Sequence, residues 1–144
     1  MTTGGGRVIR ILLSDDDARL RRGVKEILMG ELQGVVCGEA EDGDQALLQI
    51  QNQDWDLVIL DVTMPGRNGI EVLRDLKRVR PTLPVLILSM HPEDQYGRRT
   101  LKAGASGYVT KDVDPYELMK AVRTVLAGGR YVSAALANKL PPVD

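Results

Sequence analysis

Three acids, a hydroxyl and an amine stand directly beyond the apolar runs of this chain. Asp15 and Asp16 follow residues 8–13, Asp61 follows 56–60, Ser89 follows 85–88 and Lys111 follows 107–109. Each has an ordinary reading of its own. Asp15-Asp16 can cap a helix, Asp61 can cap the Met64-Pro65-Gly66 turn, Ser89 can sit in a turn, and Lys111 can be solvated. Gathered in one place they require more. Two carboxylates about 4 Å apart repel by roughly 4 kcal/mol at an effective dielectric near 20. A cluster of three therefore needs cations or raised pKa values. Lys111 offsets one charge, and a hard divalent metal with oxygen ligands offsets the rest. Few protein ligands and no acidic cage suit Mg²⁺ better than Ca²⁺. An acid seated between a metal and an ammonium can attack a phosphoryl group, because the charge developing on its oxygens is neutralised.

The elements that would gather these residues can be read in order. Residues 8–13 are apolar apart from Arg10 and read as a first strand. Leu20, Val24, Ile27 and Leu28 follow at helical spacing, giving an amphipathic helix over 17–31. A second strand spans 35–40, the Asp42-Gly43 turn follows, and Ala46, Leu47 and Ile50 mark a helix over 44–52. The third strand, 56–60, is entered past Trp55, read as a packing residue. Ile70, Leu73 and Leu76 give a helix stopped by Pro81, and Pro84 precedes the fourth strand. A helix over 93–103 is closed by Gly104. After the fifth strand, Asp114-Pro115 is an N-cap with proline at the first helical position. That helix runs to about 127, where Gly128-Gly129 ends it; a short helix over 133–139 and a linker at Pro141-Pro142 are expected after it. The pattern is β-α five times over, which means an α/β protein with a parallel sheet covered by helices on both faces. All strand exits then lie at one edge, where open parallel sheets bind ligands.

The bulk composition narrows the classes. At 144 residues the chain suits one domain, and a net charge of −1 provides no field toward nucleic acid or a membrane. The basic runs Arg19, Arg21, Arg22, Lys25 and Arg98, Arg99, Lys102 read as solvated helix faces. The single Cys37 excludes an internal disulfide and reads as a small core residue. No apolar run reaches membrane-spanning length and no signal-peptide core is present, so the expected compartment is the cytosol. Gly4-Gly5-Gly6 precedes the first strand and reads as a tail, not a phosphate loop.

Asp15-Asp16, Asp61-x-x-Met64-Pro65-x-x-x-Gly69, Ser89 and Lys111, in this order and each at a strand exit, resemble the receiver domain of bacterial two-component response regulators. Residues 20–24, 88–91 and 102–108 resemble the subgroup that carries a LuxR/NarL/FixJ-type C-terminal helix-turn-helix domain. The resemblance implies a flavodoxin-like (βα)5 fold with strand order 2-1-3-4-5 and a short extra C-terminal helix. It divides the chain into a tail (1–7), a receiver (8–127), and a short helix with the start of a linker (128–144) to a DNA-binding domain that the chain lacks. It implies that Asp61 accepts phosphate from a sensor histidine kinase or a small phosphodonor. Asp16 would bind Mg²⁺ directly and Asp15 mainly through water, with Asp61 and the Thr63 carbonyl as further ligands. Lys111 would pair with Asp61 and the phosphoryl oxygens. Ser89 would turn toward the phosphoryl group and Tyr108 would move inward behind it, altering the face made by helix four, strand five and helix five. Met64, Pro65, Met90 and His91 would flank the site.

By the same resemblance the chain catalyses only its own phosphorylation and dephosphorylation. A homodimer would use helices one and five or the helix-four face, and DNA would be bound only by the absent domain. Four positions depart from the commonest pattern: Asp17 for His, Ser89 for Thr, Ser14 for an apolar residue, and Lys111-Asp112 for Lys-Pro, which leaves the isomer of that bond open. Two other functions compete. An aspartyl phosphatase of the haloacid-dehalogenase type needs a general acid two residues after its nucleophile, where this chain has Thr63, and a cap domain that the chain lacks. A pseudo-receiver would be a binding module that never uses its phosphate site, against which the complete acid, hydroxyl and lysine set argues.

Overall fold

The computed structural model describes residues 8–62, 68–90 and 93–132, with backbone alone at 93–96. Within these residues strand and helix alternate: β1 (Ile9–Ser14), α1 (Ala18–Glu31), β2 (Val35–Ala40), α2 (Gly43–Asn52), β3 (Leu57–Leu60), α3 (Gly69–Val79), β4 (Val85–Ser89), α4 (Glu93–Lys102), β5 (Gly107–Thr110) and α5 (Pro115–Leu126). Every ladder is parallel and the strand order is β2-β1-β3-β4-β5. This is the flavodoxin-like arrangement, and its order reverses between β1 and β3. Asp15 and Asp61 emerge on the two sides of that reversal, where a crevice opens in such sheets. The expected tail, the short helix over 133–139, and Pro141-Pro142 lie outside the described residues.

The pleat sorts the core. In β1, Ile11 and Leu13 face one way and pack with Val24 and Leu28 of α1 and with Leu118 and Val122 of α5. Leu12 faces the other way, with Ile50 of α2 and Leu73 and Leu76 of α3. β3 and β4 are buried along their whole length, which is why they read as unbroken apolar runs. β2 is an edge strand and only half buried. Cys37 on it is accordingly half-buried against the α1–α5 side, not a full core residue, and burial pushes its thiol pKa up. Trp55 packs as expected: its ring lies over Gly38, where an added Cβ would come within 2.4 Å of it, and its Nε1 donates to the Gln49 carbonyl.

The element boundaries follow from side chains that satisfy free backbone groups. Asp17, Asp42, Asn68 and Asp114 cap α1, α2, α3 and α5. Asp56 stays outside β3, although its carboxylate accepts from the Arg10 N–H at 2.8 Å. Gly104, at φ +114°, takes the left-handed conformation that turns the chain from α4 toward β5. Beyond α5 the chain returns to the sheet. Tyr131 forms a parallel bridge with Gly107; its N–H donates to the Ser106 carbonyl (2.9 Å), and its carbonyl accepts from the Tyr108 N–H (3.2 Å).

Candidate functional site

The site is built from strand ends whose backbones are bonded to one another. The Asp15 N–H donates to the Ala40 carbonyl (3.0 Å), Asp61 N–H to the Ser14 carbonyl (2.9 Å) and Lys111 N–H to the Ser89 carbonyl (2.8 Å). These bonds continue the ladders one residue past the strands, so the three side chains leave the sheet at one level. Asp15 and Asp61 are buried, 5% and 2% exposed, whereas Asp16 is exposed. One carboxylate oxygen from each of the three lies within 4.8 Å of the others. Between them reaches Lys111, with Nζ 2.9 Å from Asp61 Oδ2 and 2.8 Å from Asp15 Oδ2. Four of the residues expected at the site are thus gathered in one cluster.

Burial and charge together set the titration of Asp15 and Lys111. Burial raises the Asp15 pKa more than the Lys111 contact and the Asp17 N–H lower it, so this carboxyl sits above its ordinary value. Burial opposes the charge on Lys111, but its contacts with the Asp15 and Asp61 carboxylates prevail and its pKa lies above the ordinary lysine value. The ammonium is therefore firmly charged. One cation among three acids still leaves negative charge in excess. Asp15 Oδ1 accepts the Asp17 N–H at 2.8 Å, while Asp15 Oδ2 is buried, near Lys111 but without an aligned hydrogen bond. A buried carboxylate oxygen in that condition, amid other oxygen donors, fits a hard divalent cation. Asp15, Asp16 and Asp61 are the side chains that would hold it.

The remaining expected residues divide into three groups. Ser89 ends β4 fully buried, with its backbone tied to Lys111. Tyr108 is 1% exposed and packs in the cluster that contains Ile87, Leu101 and Ala105, so its ring already occupies an inward position. Met90 follows Ser89, lines an open cavity with Lys111 and is 72% exposed. Thr63, Met64, Pro65 and His91 lie outside the described residues. Of the four departures, Ser14 is buried at the end of β1, and no peptide bond among the described residues is cis, Lys111-Asp112 included.

Two residues have roles that differ from the expected ones. Asp17, one of the departures, caps α1 by accepting from the Arg19 and Leu20 N–H groups. Arg21 is not part of a solvated face. Its side chain is largely buried, donates to the Asp15 carbonyl and to Glu39, and lines a small cavity with Asp15, Asp61 and Leu88. The signal for it was present: Arg21, Val24 and Leu28 share one apolar stripe at i, i+3, i+7, so a charge there faces inward. By contrast Arg98, Arg99 and Lys102 are exposed, as expected. The spacing from Asp61 to Gly69 also gains a cause. A Cβ at Gly69 would come within 2.3 Å of the Val62 backbone, so only glycine lets α3 start this close to the segment leaving Asp61.

Comparison with known proteins agrees with this geometry. Residues 11–123 match the family model described as the response regulator receiver domain. The chain is 38% identical over 132 residues to the transcriptional regulatory protein DegU of Brevibacillus brevis, covering 92% of this chain and 56% of that protein. It is 38% identical over 134 residues to the response regulator GacA of Pseudomonas protegens, covering 92% of this chain and 62% of that one. The chain therefore spans about six tenths of the length of these curated relatives. Among solved structures, a two-component response regulator of the LuxR family from Aurantimonas sp. superposes with a TM-score of 0.82 at 35% identity, covering 92% of this chain and 94% of that one.

Proposed function

The chain belongs to the response regulator receiver domain family, and from that membership we propose that it is a phosphorylation-controlled switch with Asp61 as its phosphoacceptor. The observation that carries this reading is the Lys111 ammonium held 2.8 and 2.9 Å from two buried carboxylates at the reversal of the strand order. A phosphohistidine of a sensor kinase, or a small phosphodonor, is the source of the phosphoryl group. The P–N (or donor P–O) bond breaks as an Asp61 oxygen forms the new P–O bond, and the leaving group takes up a proton. Lys111 neutralises charge on the transferring oxygens, and Asp15, Asp16 and Asp61, with the Thr63 carbonyl, are the proposed ligands of Mg²⁺. That metal supplies charge neutralisation and orientation of the phosphoryl oxygens when bound.

Ser89 is assigned the hydrogen bond to the new phosphoryl group. Tyr108 is assigned the coupling of that bond to the face made by α4, β5 and α5. Met64, Pro65, Met90 and His91 are the residues assigned to flank the site. The domain reading is a receiver over 8–127 followed by a short helix and linker. The effector it would control is a DNA-binding domain outside this chain, and two copies would pair through α1 and α5 or the α4–β5–α5 face. We place it in the cytosol; among the described residues no helix is long and apolar enough to cross a membrane. Its own phosphorylation and dephosphorylation are the only chemistry assigned to it. Neither the phosphatase nor the pseudo-receiver reading is favoured by an observation on the molecule.

Intact mass after incubation with acetyl phosphate and Mg²⁺ tests this reading. One phosphoryl group is expected on the native chain and none on Asp61→Asn. Undiminished labelling of Asp61→Asn refutes the assignment.

A further inference from the structure

We propose that Arg21 is a positioning residue for the cation site formed by Asp15, Asp16 and Asp61, holding the carbonyl of Asp15 so that Oδ2 of that residue is the atom left to the cation. This inference rests on the function proposed above, in which the site takes Mg²⁺. Asp15 has four polar atoms, and three of them are engaged by hydrogen bonds. Its N–H donates to Ala40, its Oδ1 accepts from Asp17, and its carbonyl accepts from Arg21 Nη1 at 2.5 Å. Only Oδ2 is left without an aligned bond, and it is buried facing Lys111. Arg21 is the sole side chain among these anchors; the others are backbone groups or their own neighbours.

The guanidinium is itself aligned. Arg21 Nε donates to Glu39 Oε1 at 2.8 Å, and Lys25 Nζ stands 3.8 Å from the other Glu39 oxygen. Glu39 lies on β2, the strand whose Ala40 carbonyl receives the Asp15 N–H. Arg21 therefore ties the β1–α1 loop to the same strand end from a second direction. A planar fork with several donors can serve the carbonyl and the carboxylate together, whereas a lysine ammonium on a flexible stem cannot reproduce both directions. Mg²⁺ demands near-ideal octahedral geometry and keeps several waters, so the placement of an oxygen that meets it directly or through one of those waters matters to its affinity.

Charge alone predicts the opposite sign from positioning. Arg21 brings a positive charge to the rim of a cation site, so its removal should tighten Mg²⁺ binding if it acts only through Coulomb repulsion. If it acts by holding Asp15, its removal should weaken binding in spite of the charge lost.

The test is a titration of the ¹⁵N-labelled protein with MgCl₂ alone, following the backbone amide shifts of Asp17 and Asp61 in the native chain, Arg21→Gln and Arg21→Lys. Arg21→Gln is expected to weaken Mg²⁺ binding by about tenfold or more, the range seen when partners that orient metal ligands are lost. Arg21→Lys, which keeps the charge, is expected to fall between Arg21→Gln and the native chain. Acetyl phosphate labelling of Arg21→Gln should return to the native level at saturating Mg²⁺. Native or tighter Mg²⁺ affinity in Arg21→Gln overturns the role, as does labelling that saturating Mg²⁺ fails to restore. If Arg21→Gln does not fold, Arg21→Lys decides: native affinity there overturns the role. A native chain that binds no Mg²⁺ removes the proposed function and this role together, whereas native binding with an unaffected Arg21→Gln removes this role alone.

Discussion

Replacing Lys111 with methionine removes one charge while keeping most of the side chain's volume. Asp15 and Asp61 are then left buried beside each other without their cation. Removing one partner from a buried ion pair costs about 3–5 kcal/mol. For a domain of this size that is about 3 °C of Tm per kcal/mol, so Lys111→Met should melt about 9–15 °C lower near pH 8 without metal. The deficit must depend on pH. Asp15 already titrates above its ordinary value of 3.8 in the folded chain, and loss of Lys111 takes away a contribution that lowers it. The folded state then binds that proton more tightly than the unfolded state, so stability falls as pH rises through the folded-state pKa and recovers below it.

Lys111 itself does not blur this window. Its folded pKa lies above 10.5, so its own stabilisation is complete below that value and is lost only at higher pH. Thermal unfolding followed by circular dichroism at about pH 8 and about pH 5 should therefore show the gap between Lys111→Met and the native chain closing as pH falls. MgCl₂ should raise Tm more in Lys111→Met than in the native chain, because the metal replaces the missing positive charge. A deficit equal at both pH values, or no deficit near pH 8, refutes the view that Lys111 offsets the charge of the buried Asp15 carboxylate.

Two further changes probe the scaffold of the site. Gly69→Ala places a methyl group within 2.3 Å of the Val62 backbone, and overpacking against backbone costs about 1–3 kcal/mol. Its Tm should fall, and acetyl phosphate labelling of Asp61 should slow because the segment leaving Asp61 must move; a labelling rate equal to the native one contradicts this. Asp17→Ala removes the α1 cap and should cost about 1 kcal/mol in urea unfolding, while Asp17→Asn, which keeps an acceptor, should be close to native. Equal losses in the two variants would show that the Asp17 charge, not its capping oxygen, is what stabilises α1.

The sequence disclosed most where one physical constraint acts alone. Fully buried strands such as β3 and β4 must be apolar throughout, and Asp114-Pro115 is a helix start by chemistry that needs no tertiary partner. Gathering Asp15, Asp61 and Lys111 followed from parallel topology, since every strand exit shares one edge. The less legible features depend on contacts between elements remote in sequence. Arg21 looked like part of a basic helix face because its partners, the Asp15 carbonyl and Glu39, come from a loop and a neighbouring strand. Asp17 stands out in the sequence only as a departure from His, and its cap is visible once the Arg19 and Leu20 N–H groups are seen to point at it. The inward ring of Tyr108 depends on the space among Ile87, Leu101 and Ala105, which no local pattern encodes.

The bridge at Tyr131 has a consequence for geometry at the end of the fold. Both of its backbone bonds go to residues flanking Gly107, and an added Cβ there would come within 2.8 Å of the Tyr131 carbonyl. The position of Tyr131 is therefore dictated by the sheet margin as well as by the end of α5, to which Gly128 and Gly129 are tied through the Val125 and Thr124 carbonyls. Residues 107 and 131 are thus locked edge to edge, and a side chain larger than hydrogen at position 107 would prise them apart.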